Sequence, residues 1–393
     1  MDNVKYRSWV YARQGLDRPK FASAREALAG AGWQRSVGGV NPYLGIRARS
    51  GEGRAKVDAL AADLQLFELP SARGCTYVLP ADHFALGLVI GRPFGSATEV
   101  ATARKLGVED AEIQRLKEAV LVALEAGPLS PADLKKPLGD KVRSLGEEGK
   151  KKGLTTTLPL SLGLLQTEGR IRRKPITGRL DTQRYEYELW QPPLGPMPDD
   201  EDAAAEIAKL YFGWCGAATL KEFRDYTAFT AAKAGAACER AGIVSFGSEP
   251  DLLALPGAYE ELSQHSAPSA PAYSLVGNLD PFVSLRRNAM FWLDPIDGSR
   301  MVPSDSGIKQ VSELSELWSH AILDRGRLIG LWEFDAEAGN IVWQSWIPVD
   351  NALRAKVEDM EAYIRNDLGD ARSFSLDSPA SRRPRLDALR KAD

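Results

Sequence analysis

The stretch that decides the fold is Gly169-Arg-Ile-Arg-Arg-Lys-Pro-Ile-Thr-Gly-Arg-Leu-Asp-Thr-Gln-Arg-Tyr-Glu-Tyr-Glu-Leu189. Residues 170–184 carry six Arg or Lys against a single acid, Asp181. The leucine-rich segment before this stretch ends at Gly169, which is typical of a helix that stops and runs into a hairpin. A helix followed by two strands joined at residues 175–178 is the layout of a winged helix. The pattern therefore predicts a winged helix with a cationic hairpin, or wing.

The cations of the chain are concentrated in one segment. Residues 135–184 contain thirteen Lys or Arg and five Asp or Glu, a net charge of +8. Since the whole chain of 393 residues has a net charge of −3, the remainder carries −11. This asymmetry indicates a cationic face on an otherwise acidic body, and such a face favours contact with the phosphates of double-stranded DNA.

Lysines on a loop and hydroxyls at a helix N-terminus bind phosphate without reading base sequence. We expect a mobile basic loop at residues 146–153, followed by threonines that cap the helix before the wing. The predicted DNA contacts are Arg143, Lys150, Lys151, Lys152, Thr155, Thr156, Arg170, Arg172, Arg173, Lys174 and Arg179. The alternative is that the wing is a solvated strand edge whose charges discourage pairing with other strands.

Hydrophobic periodicity and turn residues divide the chain into units. Residues 216–223 partly repeat the pattern of residues 127–134, which predicts a second, shorter winged helix whose hairpin lacks cations. Strand-like runs at 291–293, 320–323, 327–334 and 340–347 predict an antiparallel meander. The fold class is therefore α+β, with tandem winged-helix units and a β-rich C-terminal domain. The predicted boundaries are 1–105 for an N-terminal helical, winged-helix-like unit, 106–192 for the winged helix with the basic wing, 203–260 for the second winged helix, 272–370 for the β-rich domain and 371–393 for a disordered tail.

The sequence lacks the patterns of several common chemistries. Its three cysteines form no Cys-x-x-Cys pair, and its three histidines are widely separated, so we expect neither a metal nor a cofactor. Asp294 and Asp297 are close together, but acids in loops between strands are usually solvated. With no apolar signal segment and no run long enough to cross a membrane, we expect a cytoplasmic monomer.

Several segments, in order along the chain, resemble the AlkZ-like DNA glycosylases, a bacterial winged-helix family that includes the YcaQ proteins. The segments are 10–16, 32–34, 43–49, 76–82, 127–130, 169–171 with 185–189, 277–282 and 323–332. The resemblance implies tandem winged helices around a DNA-holding hollow. It also implies a monofunctional glycosylase in DNA repair, in which water displaces an alkylated purine and leaves an abasic site.

The family's catalytic motif is a Gln, any residue, then Gln or Asp, just before the helix that corresponds to residues 43–46. In this chain Gln34 takes the first position and Ser36 the third, and Gly38 and Gly39 lengthen the approach to the helix. An amide can position water, whereas a serine hydroxyl can hold water but supplies no charge. The resemblance therefore assigns catalysis to Gln34 and Ser36, and the alternative is that Gln34 only caps a helix.

Two functions fit these observations. The first is a DNA glycosylase for alkylated bases, and the second is a winged-helix DNA-binding protein without catalysis, acting as a lesion sensor or a transcriptional regulator. The release of a base from alkylated DNA distinguishes them.

Overall fold

The structure is a computed structural model that describes residues 2–182, 184–191 and 194–391. It is an α+β fold, as the sequence predicts. Three successive segments place helices beside a short antiparallel hairpin, and a four-stranded antiparallel sheet follows. None of the helices in the described part of the chain combines the length and the apolar character needed to cross a bilayer.

The first segment has the element order of a winged helix. Its elements are α1 (Asn3–Arg13), α2 (Ala24–Ala31), β1 (Gln34–Arg35), α3 (Asn41–Ser50), α4 (Arg54–Ala62), β2 (Leu66–Pro70), β3 (Thr76–Pro80), α5 (Phe84–Gly91) and α6 (Ala97–Lys105). The three strands are antiparallel in the order β1-β3-β2. The strand β1 is therefore an edge of its sheet, and it carries Gln34.

The second segment contains the basic wing. Its elements are α7 (Asp110–Leu124), α8 (Pro131–Leu138), α9 (Gly146–Lys151), α10 (Leu158–Thr167), β4 (Ile171–Pro175) and β5 (Tyr185–Leu189). Ser130 caps α8, because its hydroxyl accepts the backbone N–H of Asp133. The loop expected at residues 146–153 is instead mostly helical, since α9 closes its own hydrogen bonds between two glycines with positive φ. The turn of the wing is also longer than the predicted residues 175–178.

The third segment repeats the winged-helix order without basic residues in its hairpin. Its elements are α11 (Asp200–Cys215), β6 (Ala217–Thr219), α12 (Leu220–Thr227), α13 (Ala231–Arg240), β7 (Val244–Phe246), β8 (Glu249–Ala254) and then α14 (Ala258–Gln264). The strands are ordered β6-β8-β7. Thr219 and Glu222 form a reciprocal capping box that fixes the start of α12.

The C-terminal part is rich in strands. Its elements are β9 (Tyr273–Val276), α15 (Pro281–Ser284), β10 (Met301–Ser304), β11 (Gly307–Gln310), β12 (His320–Asp324), β13 (Arg327–Asp335), β14 (Asn340–Ser345), α16 (Asn351–Tyr363, continued as a π turn Ile364–Leu368) and α17 (Pro379–Arg390). The meander β14-β13-β12-β9 contains three of the four predicted strands. The fourth prediction was wrong, because Ala289–Phe291 is a 3-10 turn that leads into the buried Trp292.

A helix replaces the disordered tail that was expected from residue 371 onward. Arg382 of α17 donates two hydrogen bonds to Asp370, at 2.7 and 3.0 Å. Arg385 pairs with Glu333 of β13 at 2.8 Å and with Asp377 at 3.2 Å. The polar composition of the tail therefore reflects buried ion pairs, which composition alone cannot distinguish from solvated charges.

The hydrophobic cores cross the predicted boundaries. One core joins the hairpin of β2 and β3 (the first hairpin), together with α5, to α11 of the third segment. Another joins α2, α3 and α4 to the C-terminal sheet and α16. The second segment differs, because the leucines of α7, α8 and α10 form a cluster among themselves with Ile171.

Gly39, in the loop between β1 and α3, lies against the backbone of residues 372 and 373, and a methyl group there would overlap the carbonyl of Ser373. We predict that Gly39→Ala lowers the free energy of unfolding by about 1–3 kcal/mol, because backbone cannot move aside as a flexible side chain can. Urea titration measures the effect. The control is Gly53→Ala, since a methyl at Gly53 meets open space. Equal midpoints for the two variants would show that the loop is not held by the C-terminal segment.

Candidate active site and nucleic-acid interface

The strand β1 orients the candidate catalytic residues. It pairs with β3 through Gln34 opposite Val78 and Arg35 opposite Tyr77, and the backbone N–H of Ser36 continues the ladder to Thr76 O at 2.8 Å. Successive side chains of a strand point to opposite faces. Gln34 and Ser36 therefore share one face of the strand, and Arg35 belongs to the other.

Both candidate catalytic side chains are buried, with 1% of Gln34 and none of Ser36 exposed. Gln34 packs on Gly45 of α3, where any larger residue would overlap its amide. Among the described residues, neither Gln34 Oε1 nor Ser36 Oγ has a hydrogen-bond partner. Both atoms are therefore buried with hydrogen-bonding capacity that no described residue uses.

The C-terminal segment closes the loop that follows Ser36. The backbone N–H of Ser375 donates to Val37 O at 2.8 Å, and that of Val40 donates to Arg372 O at 3.0 Å. The side-chain amide of Asn41 donates to Ser373 O at 3.1 Å. The two glycines that lengthen this loop therefore admit a second stretch of backbone beside it.

An ion pair beneath this loop fixes α3. Arg49 donates to both oxygens of Asp280 at 2.7 Å, and both side chains are completely buried. Arg49 also donates to Gly45 O at 3.0 Å and to Gln14 Oε1 at 2.8 Å. Since Gly45 contacts Gln34, the pair joins the C-terminal part of the chain to the back of the candidate site.

Two arginines of the predicted DNA surface contact the first segment of the protein. Arg172 pairs with Glu188, and its guanidinium lies 5.2 Å from the centre of the Phe67 ring in β2. Burial lowers the pKa of Arg172. Arg173 Nη2 lies 3.4 Å from Glu68 Oε2, also in β2. The wing thus packs its arginines against the first hairpin.

Arg179 lies in the turn of the wing and connects this turn to the end of α16. It donates to both oxygens of Asp181, at 2.7 and 2.6 Å, and to Leu368 O at 3.0 Å. Lys174 is half-exposed and lies 3.7 Å from Glu188 Oε2. Arg170 is exposed. Among the predicted DNA contacts of the wing, Arg170 and Lys174 are therefore the exposed ones.

The remaining predicted DNA contacts lie on the second segment. Arg143 is exposed and pairs with Glu112 at 3.2 Å, while Lys150 and Lys151 pair with glutamates one turn earlier on α9. Lys152 and Thr155 are exposed, and Thr156 is half-buried. The ion pairs of Arg143, Lys150 and Lys151 all stay within this segment, so none of them joins these cations to β1.

A second group of cations escaped the sequence analysis. Arg35 of β1, Arg73 of the turn after β2 and Arg287 after α15 converge on one carboxylate, Glu316, with closest N···O distances of 3.1, 3.9 and 3.3 Å. Arg35 stands at the variable middle position of the family's motif, to which the resemblance assigns no role. No sequence signal links residues so widely separated in the chain, and only the fold brings them together.

The histidines have structural roles. His83 Nδ1 accepts the indole N–H of Trp33, and His320 accepts the backbone N–H of Asn278. Burial lowers the pKa of His320 to about 4, so its ring is neutral at pH 7. In the described part of the chain, no group of three His, Cys, Asp or Glu side chains is placed to hold a metal ion. Asp294 and Asp297 each pair with Arg327, and Asp297 is buried whereas Asp294 is half-buried, so the expectation of a solvated loop acid is wrong for Asp297.

A pocket of about 620 Å³ lies away from β1, between α11 and α13. Its lining combines Asp200, Glu201 and Glu239 with Lys233 and Arg240, so it offers no excess of positive charge to a phosphate backbone. No residue of β1 lines this pocket, and the residues around β1 remain the candidate site.

Residues 31–363, which include β1, α3 and Asp280, match the family model described as DNA glycosylase AlkZ-like. The chain belongs to the AlkZ-like DNA glycosylase family. The family inferred from the sequence is thereby confirmed.

A similar sequence and a similar solved structure both come from Streptomyces sahachiroi. The interstrand DNA cross-link repair glycosylase of this organism is 24% identical over 335 residues, which are 83% of this chain and 86% of that protein. The solved structure of its DNA glycosylase AlkZ superposes with a TM-score of 0.69 at 20% identity, covering 94% of this chain and 98% of that one. At this identity the superposition shows that the AlkZ-like fold is shared.

The contacts of Arg172 predict an effect on stability. Arg172→Ala removes the ion pair with Glu188 and the contact with Phe67, so it should lower the free energy of unfolding by roughly 1–2 kcal/mol. Thermal or urea unfolding provides the measurement. Arg170→Ala is the matched control, because this neighbouring cation is exposed and should change stability by less than about 0.5 kcal/mol. Stability unchanged by Arg172→Ala would mean that the wing is not held against the first hairpin.

Proposed function

We propose that the chain is a monofunctional DNA glycosylase that removes alkylated purines from double-stranded DNA, acting as a cytoplasmic monomer in DNA repair. The observation that carries the proposal is the AlkZ-like match over residues 31–363, which spans both β1 and the helix that Arg49 holds against it. The similar protein from Streptomyces sahachiroi is named for cross-link repair. A purine cross-linked through a ring nitrogen belongs to the same chemical class as an alkylated purine, so the proposal includes cross-linked purines.

Cleavage of the glycosidic bond of an alkylated purine requires little catalytic assistance from the protein. A purine alkylated on N7 or N3 is cationic, and its bond to C1′ breaks with the electron pair moving to N9. The oxygen of a water molecule bonds to C1′, and its proton leaves to solvent. The products are the free alkylpurine and an abasic site. The protein must position the water and stabilise the positive charge that develops on the sugar.

Within this proposal Gln34 is the residue that positions water. Its amide oxygen has no hydrogen-bond partner among the residues that the structure describes, so it can accept a hydrogen bond from water without breaking one of those contacts. Ser36 lies on the same face of β1 and could hold the water from a second side. Because both residues are buried, the proposal requires the loop at residues 37–41 and the segment at residues 371–378 to separate when DNA binds.

We predict that Gln34→Ala slows release of methylpurine from methylated duplex DNA by about a hundredfold under single-turnover conditions, the usual size of a lost positioning group. Chromatography of the released base gives the rate. Gln114→Ala is the matched control, because Gln114 is exposed on α7 and its side-chain amide donates to Glu118 on the same helix. Unfolding midpoints of both variants separate a lost catalytic group from a lost fold. Equal rates for wild type and Gln34→Ala would remove Gln34 from the mechanism.

The second candidate function is DNA binding without catalysis, in a lesion sensor or a transcriptional regulator. It is favoured by the serine at the third position of the motif and by the burial of both motif side chains. The base-release assay decides between the two functions, because DNA binding without catalysis predicts that the protein binds duplex DNA and releases no base. Ser36→Asp, which restores the family pattern, would then be expected to create base release.

A further inference from the structure

We propose that Arg35, Arg73 and Arg287 form a binding site for one backbone phosphodiester of duplex DNA, next to the strand that carries Gln34. We call these three residues the arginine cluster. The inference deepens the proposed function and rests on it, since it specifies where the DNA backbone lies when the lesion reaches β1.

The charge of the arginine cluster is unbalanced. Three guanidinium groups face the single carboxylate of Glu316, and among the described residues none of the three makes an ion pair with a second acid. The wing differs, because Arg172, Arg173 and Arg179 each pair with an acid of the wing or of β2. The arginine cluster is therefore a place where two positive charges remain available to an incoming anion.

The geometry around Glu316 resembles that of a bound phosphodiester. Arg35 Nη1 lies 3.1 Å from each of the two carboxylate oxygens, and the other two arginines approach from different parts of the chain. A phosphodiester also presents two charged oxygens and a single negative charge. The Glu316 carboxylate thus occupies the position that the two non-bridging oxygens of a phosphodiester would take.

The arginine cluster is partly exposed, as a phosphate site must be. The side chains of Arg287 and Glu316 are 34% and 25% exposed, while those of Arg35 and Arg73 are 17% and 14% exposed. Arg73 and Arg287 also adopt left-handed backbone conformations, with φ of 57° and 52°. Residues with a Cβ rarely adopt this conformation.

The position of Arg35 relates the arginine cluster to the candidate catalytic residues. Arg35 lies between Gln34 and Ser36 in sequence but faces the opposite side of β1. Because β1 is the edge strand of its sheet, a duplex lying along this edge could contact both faces. A phosphate held by Arg35 would then belong to a nucleotide beside the lesion, and its contact would position the base without reading its identity.

Duplex affinity as a function of salt tests the proposal. Anisotropy of a short labelled duplex, titrated at several KCl concentrations, gives the affinity and its salt dependence. We expect Arg287→Ala to weaken binding about tenfold and to lower the slope of log K against log[KCl] by about 0.9, the value for one phosphate contact. Arg73→Ala should act similarly. Arg240→Ala is the control, because this arginine also pairs with acids but lies on α13.

Glu316→Gln tests the arginine cluster without removing an arginine. If the carboxylate occupies the position of a phosphate, its neutralisation should strengthen duplex binding by about threefold. If Glu316 has a purely structural role, Glu316→Gln should not increase the affinity for duplex DNA. Unchanged affinity and slope for Arg287→Ala, no gain for Glu316→Gln, or no duplex binding by the wild type would each overturn the proposal.

Base release is measured separately, so that failure of the site and failure of the proposed function remain distinguishable. If the wild type releases methylpurine, but Arg287→Ala and Glu316→Gln bind duplex DNA as the wild type does, then only the proposed phosphate site is refuted. A wild type that binds duplex through the arginine cluster but releases no base would refute the glycosylase and leave the phosphate site in place.

Discussion

The buried ion pair between Arg49 and Asp280 is the interaction on which the rest of the structure depends. Two ions are held completely away from water, where either one left alone would carry a large desolvation penalty. They are supported by further hydrogen bonds, from Arg49 to Gln14, which follows α1, and to Gly45 O of α3, and from the backbone N–H of Phe282 to Asp280. One contact set therefore joins the N-terminal helices, the helix behind Gln34 and the start of the C-terminal part.

This ion pair is also connected to the strand β1, which carries Gln34, through Gly45. Gly45 receives a hydrogen bond from Arg49 on one side and contacts the Gln34 amide on the other. The two segments that contribute the ions, residues 43–49 and 277–282, are both among those by which the sequence resembles its family. Their resemblance therefore has a structural basis, since one segment needs the other to remain buried.

Positive charge serves two purposes in this molecule. On the wing it attaches one segment to another, because Arg172 and Arg173 lie against β2 and Arg179 against the end of α16. In the arginine cluster it exceeds the local negative charge and is partly open to solvent. The sequence shows where cations are dense, but density does not reveal whether each cation already has a partner.

Local patterns predicted most of the fold. Capping residues such as Ser130, glycines after helices and alternating apolar residues located the winged-helix order and the meander, because these features act over a few residues. The predictions that were wrong concern elements that depend on residues far away in the sequence. The helix α17 depends on Glu333 and Asp370, which lie outside it, and the turn at residues 289–291 depends on the burial of Trp292.

The candidate site was predictable to the same extent. The family, which short segments along the sequence indicate, is confirmed, whereas the assignment of catalysis to Gln34 and Ser36 stays a prediction. Arg35, Arg73, Arg287 and Glu316 come from four separate parts of the chain, and only the packing of the first segment against the C-terminal part assembles them. The closure of loop 37–41 by residues 372–375 could not be anticipated for the same reason.

A double-mutant cycle on Arg49 and Asp280 tests the central claim most directly. Urea unfolding would be measured for Arg49→Met, Asp280→Asn and the double variant. Each single change should lower the free energy of unfolding by roughly 3–5 kcal/mol, because it leaves one ion buried without its partner. The double change should then fall short of the sum by at least about 2 kcal/mol. Losses that add to within about 0.5 kcal/mol would show that the two residues act independently, and would contradict the claim that their pairing holds the site together.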